Sequence, residues 1–295
     1  MSKYSDKSAL ICPTLVTQNP WQELNQFTSA RIALGRAGNS IPTDKLLAFQ
    51  LDHARAIDAV HNALETKALV AQFSTNQTLA NSALLPPYVV TSKARDRMIY
   101  LQRPDLGRQL NDDAWQQLQS SVPKATAHKT HYDLVIVVAD GLSASAIHHH
   151  ALAVIERLVN LLFADKTHDW SVAPLTFVTQ GRVAIGDDVG ECLNADITMI
   201  LIGERPGLTS PDSMGIYLTW AAKRGAKDSQ RNCISNIRPE GLNYDDASQK
   251  AFYLLKESQT LKLSGVGLKD RTSSSDVEAS ISSNSPSHFL TPTEK

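Results

Sequence analysis

A carboxylate and a guanidinium follow directly after an apolar run in the sequence. Residues 197–202 are apolar except Thr198, and the chain continues as Gly203-Glu204-Arg205-Pro206-Gly207. Glycine lets a backbone approach a large ligand closely, and a carboxylate accepts hydrogen bonds from amide or hydroxyl donors. These residue types therefore suit a ligand site in which Glu204 is the acceptor. A solvated turn fits them equally well, so both interpretations stay open on residue types alone.

Two other loops follow predicted strands in the same way. Asp140-Gly141-Leu142-Ser143 comes after the apolar run 134–138, and Gly181-Arg182-Val183 comes after the predicted strand 175–179. In open parallel sheets, ligands bind at the carboxyl ends of the strands, because crossovers to opposite faces leave a crevice there. We therefore expect the loops at 140–143, 181–183 and 203–213 to line one crevice.

The elements that position these loops are predicted to be an α/β sheet with flanking helices. The run 134–138 is rich in β-branched residues without alternation, which is typical of a strand buried on both faces. Strands that alternate with helices predict a Rossmann-like, mostly parallel sheet, preceded by a smaller, mainly helical N-terminal region. The predicted organisation is an N-terminal extension (1–19), the mainly helical region (20–128), the Rossmann-like domain (129–262) and a flexible serine-rich tail (263–295).

Composition limits the classes of partner. The chain has 295 residues, of which 42% are hydrophobic, and its 29 Lys+Arg nearly balance its 30 Asp+Glu. This balance favours neither nucleic acid nor a membrane surface as a partner. The longest apolar runs are far shorter than the roughly 20 residues of a membrane span. Three scattered cysteines predict a reduced, cytoplasmic protein rather than a disulfide framework or a zinc site.

Several familiar sites are not predicted. The chain contains no G-x-G-x-x-G after a strand and no G-x-x-x-x-G-K-[ST], and it lacks a self-contained catalytic constellation. Residues 35–38, GRAG, suit an anion site only weakly and favour a turn before a helix. His148-His149-His150 would point about 100° apart on a helix, so we predict no metal site there. On residue type alone, Cys233 is interpreted as a buried structural thiol.

Six short blocks occur in one order between about residues 20 and 260. They read RIALGRAG (31–38), FQLDHA (49–54), RPDLGR (103–108), ADGLS (139–143), GERPGL (203–208) and NCISNI (232–237). No single block is specific, but together they closely resemble the small subunit of adenosylcobalamin-dependent ethanolamine ammonia-lyase.

The resemblance implies a hetero-oligomer of large barrel subunits and small subunits, with adenosylcobalamin held between the two. Ethanolamine would be bound mainly by the large subunit, and the adenosyl radical would start its conversion to acetaldehyde and ammonia. It implies no catalytic residue and no metal ligand on this chain. The D-x-H-x-x-G motif, whose histidine binds cobalt in other corrinoid proteins, is absent here. The protein would be cytoplasmic, with packaging in a bacterial microcompartment as in some members.

The resemblance also assigns corrinoid contacts by position, to Val183, Glu204 and Cys233. Glu204 would accept hydrogen bonds from the amide groups at the corrin periphery, while Val183 and Cys233 would offer small apolar surfaces. Two alternatives remain at this point. One is a non-catalytic scaffold subunit whose loops contact only protein, and the other is a stand-alone Rossmann-type enzyme with a nucleotide cofactor.

Overall fold

The computed structural model describes residues 19–80, 82–121 and 131–271. Contacts divide the chain into two compact units, residues 1–54 and 55–295. The predicted N-terminal extension (1–19), except for Asn19, lies outside the described residues. The helices and strands follow one another as α1 (Thr43–His61), α2 (Thr66–Ser74), α3 (Gln77–Ala80), β1 (Tyr88–Thr91), α4 (Arg97–Gln102), α5 (Asp112–Ser121), β2 (Tyr132–Ala139), α6 (Ala144–Ala164), β3 (Thr176–Thr179), α7 (Ile185–Cys192), β4 (Ala195–Gly203), β5 (Met214–Trp220), β6 (Arg231–Ile237) and α8 (Tyr244–Leu261).

The first unit contains a tight turn at residues 35–40, where the sequence suits an anion site only weakly. Gly35 and Gly38 both have positive φ, and the Ala37 and Ser40 backbones exchange two hydrogen bonds between N and O, of 2.9 and 3.1 Å. The turn uses its own amide groups, so it behaves as the expected connection before α1. In the same unit the Arg31 guanidinium lies 4.5 Å from the centre of the Phe49 ring.

The second unit is built on a six-stranded sheet in the order β1-β3-β2-β4-β5-β6. The first four strands in this order are parallel, as predicted. β5 and β6 are antiparallel to their neighbours. The reason is their connections, because the segments before β5 and before β6 contain no helix that could return the chain to the starting edge. The fold is therefore α/β with a mixed sheet.

Helices cover both faces of the sheet. Along β2 the side chains alternate, so that Leu134, Ile136 and Val138 enter one apolar core while Val135 and Val137 enter the other. Helices α6 and α8 contribute to the first core, and α5 and α7 to the second. The prediction of a central strand buried on both faces is confirmed, because residues 133–139 are all buried.

Two features add detail to the predicted organisation of the chain. β1 lies within the region expected to be mainly helical, and it forms an edge of the sheet. Leu268 is buried, and the Ser264 hydroxyl accepts a hydrogen bond of 2.8 Å from the Trp220 backbone N–H. Packing therefore continues into the segment assigned to the tail, of which residues 272–295 lie outside the described residues.

Candidate functional site

A buried carboxylate joins two of the strand-end loops. Asp140, at the end of β2, is fully buried and accepts hydrogen bonds from the backbone N–H groups of Gln180 (2.9 Å) and Gly181 (2.8 Å). Arg97 from α4 lies 3.3 Å from the same carboxylate and donates to the Gly141 carbonyl at 2.9 Å. Burial raises the pKa of Asp140 to about 6, against the opposing effect of Arg97 and the amide donors. Asp140 was expected to line the crevice, but its carboxylate lies beneath the surface and positions the loops instead.

The loop after β2 and the loop after β4 touch through glycines. Gly141 has φ +58°, and its Cβ, if present, would overlap the Gly203 carbonyl oxygen. That oxygen accepts a hydrogen bond of 3.0 Å from the Leu142 N–H. Only glycine combines this left-handed backbone with so close an approach. The glycines of these loops therefore bring the backbones together, and this fixes where Glu204 leaves the sheet.

Tyr100 packs against the loop that follows β3. Its ring is buried, and the guanidinium groups of Arg97 and Arg182 each lie 4.6 Å from the ring centre. Arg182 donates from Nη2 to the Tyr100 carbonyl at 3.0 Å, and its backbone N–H donates to the Gly107 carbonyl at 2.8 Å. The Nε atom of Arg182 is buried and has no hydrogen-bond partner among the described residues. Sequence analysis named Arg182 only as part of a loop and missed Tyr100.

The three residues assigned as corrinoid contacts come together on one surface. Two adjoining clefts open there, of about 290 and 160 Å³, and both are lined by Arg182, Val183 and Tyr217. Cys233 lines the larger cleft and Glu204 the smaller one. Tyr217 lies between them and was missed from the sequence. We name the surface formed by Val183, Glu204, Cys233, Arg182 and Tyr217 the strand-end surface.

Glu204 is held by backbone contacts at this surface. Its carboxylate accepts from the Asn236 N–H at 3.2 and 3.3 Å, and its own N–H donates to the Ser213 carbonyl at 2.9 Å. A Cβ on Gly215 would lie 2.9 Å from Glu204 Oε1, so the side chain lies flat against β5. These contacts fix the orientation of the Glu204 carboxylate, so residue 204 is not part of a freely solvated turn.

Cys233 is exposed, which makes the interpretation of a buried structural thiol wrong. The residue lies on β6, the edge strand of the sheet, where a side chain has no further strand beside it. Its Sγ lies 3.1 Å from the Ser235 Oγ. Burial raises the pKa of the nearby Tyr217 hydroxyl, with the Cys233 thiol acting in the same direction. Tyr217 is therefore a neutral hydroxyl at this surface.

Arginines and carboxylates together border the cleft of about 290 Å³, which Asp228 also lines. Arg231 is almost fully buried and forms a bidentate pair with Asp187, with N–O distances of 2.5 and 2.7 Å. Arg224 forms a similar pair with Asp188 beside a neighbouring cleft of about 490 Å³. Arg108 lines both of these clefts, is exposed, and has no ionic partner among the described residues.

The fold and this surface define a class of protein: an α/β protein with a shallow surface of mixed charge at the carboxyl ends of parallel strands. The family model described as ethanolamine ammonia-lyase light chain matches residues 18–269. The chain belongs to this family. It is also similar over most of its length to small subunits of ethanolamine ammonia-lyase from three bacteria.

The relative from Pseudomonas fluorescens is 49% identical over 278 residues, covering 94% of this chain and 97% of the relative. The relative from Xanthomonas campestris is 50% identical over 282 residues, covering 95% and 98%. The relative from Ralstonia nicotianae is 51% identical over 258 residues, covering 88% and 91%. Within the ranges that the structure describes, no helix combines the length and apolar content needed to cross a membrane.

Proposed function

We propose that this chain, together with the large subunit, holds adenosylcobalamin against the strand-end surface and supports the deamination of ethanolamine to acetaldehyde and ammonia. Membership of the light-chain family supports the lyase assignment. One observation carries the assignment of the surface: Val183, Glu204 and Cys233, which lie far apart in the sequence, line two adjoining clefts around Tyr217.

The size of the clefts supports a shared cofactor site. A pocket that encloses a drug-sized ligand has a volume of about 300–1,000 Å³. The two clefts measure about 290 and 160 Å³, and a corrinoid is much larger than such a ligand. This chain would therefore cover one side of the cofactor, and a second subunit would cover the other side.

The donor and acceptor groups of the surface fit the edge of a corrinoid. The Glu204 carboxylate has about four acceptor positions, and the Asn236 N–H uses only part of this capacity, so corrin amide groups have an acceptor there. Val183 and Tyr217 offer apolar surface beside it. The exposed guanidinium of Arg108, which has no ionic partner among the described residues, suits the phosphate in the nucleotide loop of the cofactor.

Adenosylcobalamin, when bound, supplies the radical chemistry through cleavage of its cobalt–carbon bond. The residues of this chain orient the ring, exclude water from one side of it and coordinate no cobalt. Ethanolamine is bound mainly by the large subunit, and we assign no catalytic residue to this chain. The complex would work in the cytoplasm, with microcompartment packaging implied only by resemblance.

The proposal is tested with the Glu204→Gln variant in the assembled complex. Loss of a charge-assisted hydrogen bond costs about 1.5–3 kcal/mol, so equilibrium dialysis should show adenosylcobalamin binding at least about tenfold weaker. Size-exclusion chromatography should show unchanged assembly. Glu240→Gln is the matched control, because Glu240 is exposed and lies outside both clefts. Unchanged affinity in Glu204→Gln would favour the scaffold alternative, in which these loops contact only protein.

A further inference from the structure

Two of the three consecutive histidines in α6 converge on one carboxylate. His149 Nδ1 lies 3.3 Å from Asp212 Oδ2, and His150 Nε2 lies 3.7 Å from the same oxygen. The ligand atoms of these three residues all lie within 4.8 Å of one another. His148 points elsewhere, and its Nε2 accepts a hydrogen bond from the Glu65 N–H at 3.2 Å. The helical angle thus separates His148 from the cluster, but it does not prevent two adjacent imidazoles from reaching a residue on a facing loop.

One ring nitrogen of His150 is buried and lies beside Asp212. The side chain is only 4% exposed, and Nε2 has no hydrogen-bond partner among the described residues. The other nitrogen, Nδ1, lies 2.8 Å from the Tyr244 hydroxyl, which fixes the orientation of the ring. If Nδ1 donates this bond in the neutral ring, Nε2 directs a lone pair towards the Asp212 carboxylate. In that tautomer two electron-rich groups face each other without a donor between them, which favours a cation at that point.

We propose that His149, His150 and Asp212 form a site for a divalent transition-metal ion of the zinc class. Two imidazole nitrogens and one carboxylate oxygen are a common donor set for Zn²⁺ that leaves a fourth position for water. At metal–ligand distances of about 2.0–2.2 Å, tetrahedral ligands lie about 3.3 Å apart. The separations of 3.3 and 3.7 Å from Asp212 come close to this value before any ion is bound.

The surroundings show which segments of the fold a bound ion would join. Tyr244 acts on His150 as a partner that orients the ligand, an arrangement typical of metal-binding histidines. Asp212 belongs to the connection between β4 and β5, which begins at Glu204, while both histidines lie on α6. The Ser143 hydroxyl already donates to the Pro211 carbonyl of this connection at 2.9 Å. A bound ion would add a second link between this connection and α6. It would thereby limit the movement of the connection, which includes Glu204.

The test uses the full-length chain without a histidine tag, treated with a chelator and dialysed against zinc chloride. Metal content per chain is then measured by plasma mass spectrometry, and affinity by competition with a zinc indicator. The wild type should bind one Zn²⁺ per chain at this site. His149→Ala and Asp212→Asn should each weaken that binding at least tenfold, and both change exposed or half-exposed side chains, so that folding is preserved. His148→Ala is the matched control and should bind zinc as the wild type does.

Tyr244→Phe gives a second, independent readout. Loss of a partner that orients a ligand typically weakens metal binding by about 10–100-fold, and Tyr244→Phe removes only one oxygen atom. Zinc binding that is absent in the wild type would overturn the proposal. Equal effects of His148→Ala and His149→Ala would overturn it too, because they would show a disordered histidine cluster rather than the defined site.

Discussion

Replacement of Gly141 by alanine tests the close approach that positions the strand-end surface. A Cβ at this position would lie 2.5 Å from Ile202 Cγ1 and 3.0 Å from the Gly203 carbonyl carbon, and would overlap the carbonyl oxygen. The left-handed backbone costs about 1–2 kcal/mol for a residue with a Cβ, and overpacking of this kind costs about 1–3 kcal/mol. Displacement of the Gly203 carbonyl would also break its bond from Leu142, which contributes about 0.5–1.5 kcal/mol. We expect the free energy of unfolding to fall by about 3–6 kcal/mol.

The assay is urea unfolding followed by tryptophan fluorescence, with Gly225→Ala as the matched control. Gly225 also has positive φ, at +91°, but a Cβ there would meet nothing within 4 Å. The control therefore carries only the backbone cost of about 1–2 kcal/mol. A Gly141→Ala variant no less stable than Gly225→Ala would refute the reasoning, because it would show that the Gly203 carbonyl moves aside without cost.

Three further predictions concern buried charges and thiols. Arg231→Met leaves the buried Asp187 unpaired and should lower the free energy of unfolding by about 3–5 kcal/mol. Arg103→Met breaks the exposed pair with Asp105 and should change the free energy of unfolding far less, because solvent screens that pair. Equal losses in urea unfolding would contradict this contrast. Burial raises the pKa of Asp140 to about 6, so the folded chain binds this proton more tightly than the unfolded chain, in which the pKa is near 3.9. The stability of the wild type relative to Asp140→Asn should therefore be fully present below about pH 4 and be lost, by on the order of 3 kcal/mol in all, as the pH rises through 6 to 7. A flat difference between about pH 4 and 7 would refute the prediction. Iodoacetamide should alkylate the exposed Cys233 and spare Cys192, because burial raises the pKa of the Cys192 thiol to about 12. Equal labelling of both cysteines in peptide mass spectrometry would contradict the packing of α7.

The loops of the candidate site could be predicted from the sequence because each follows a buried apolar run. Such a run indicates a strand whatever its neighbours are, and glycine with a polar residue after it indicates a strand end. Strand direction could not be predicted for β5 and β6. Their apolar residues have the same pattern in a parallel and an antiparallel pair, and direction depends on the connection, which here contains no crossover helix.

Contacts between distant segments account for the site residues that were missed. Arg97 reaches Asp140 from a helix that precedes β2, and no spacing rule connects the two residues. Asp212 meets His149 and His150 in the same way, because the loop that carries it lies far from α6 in the sequence. Tyr217 is different, because it lies between Ile216 and Leu218, which enter the core. Alternation along β5 therefore places Tyr217 on the opposite face, and this signal was available in the sequence.

The most direct measurement of the central claim is cofactor retention by a reconstituted complex. Three samples are incubated with adenosylcobalamin: this chain, a matching large subunit, and the mixture of both. Each sample is passed through a desalting column and its absorbance spectrum is recorded. We expect the mixture to co-elute as a complex and to keep the corrinoid spectrum, whereas neither chain alone should do so. A complex that forms normally but loses the corrinoid would contradict the claim that the strand-end surface is one wall of the cofactor site.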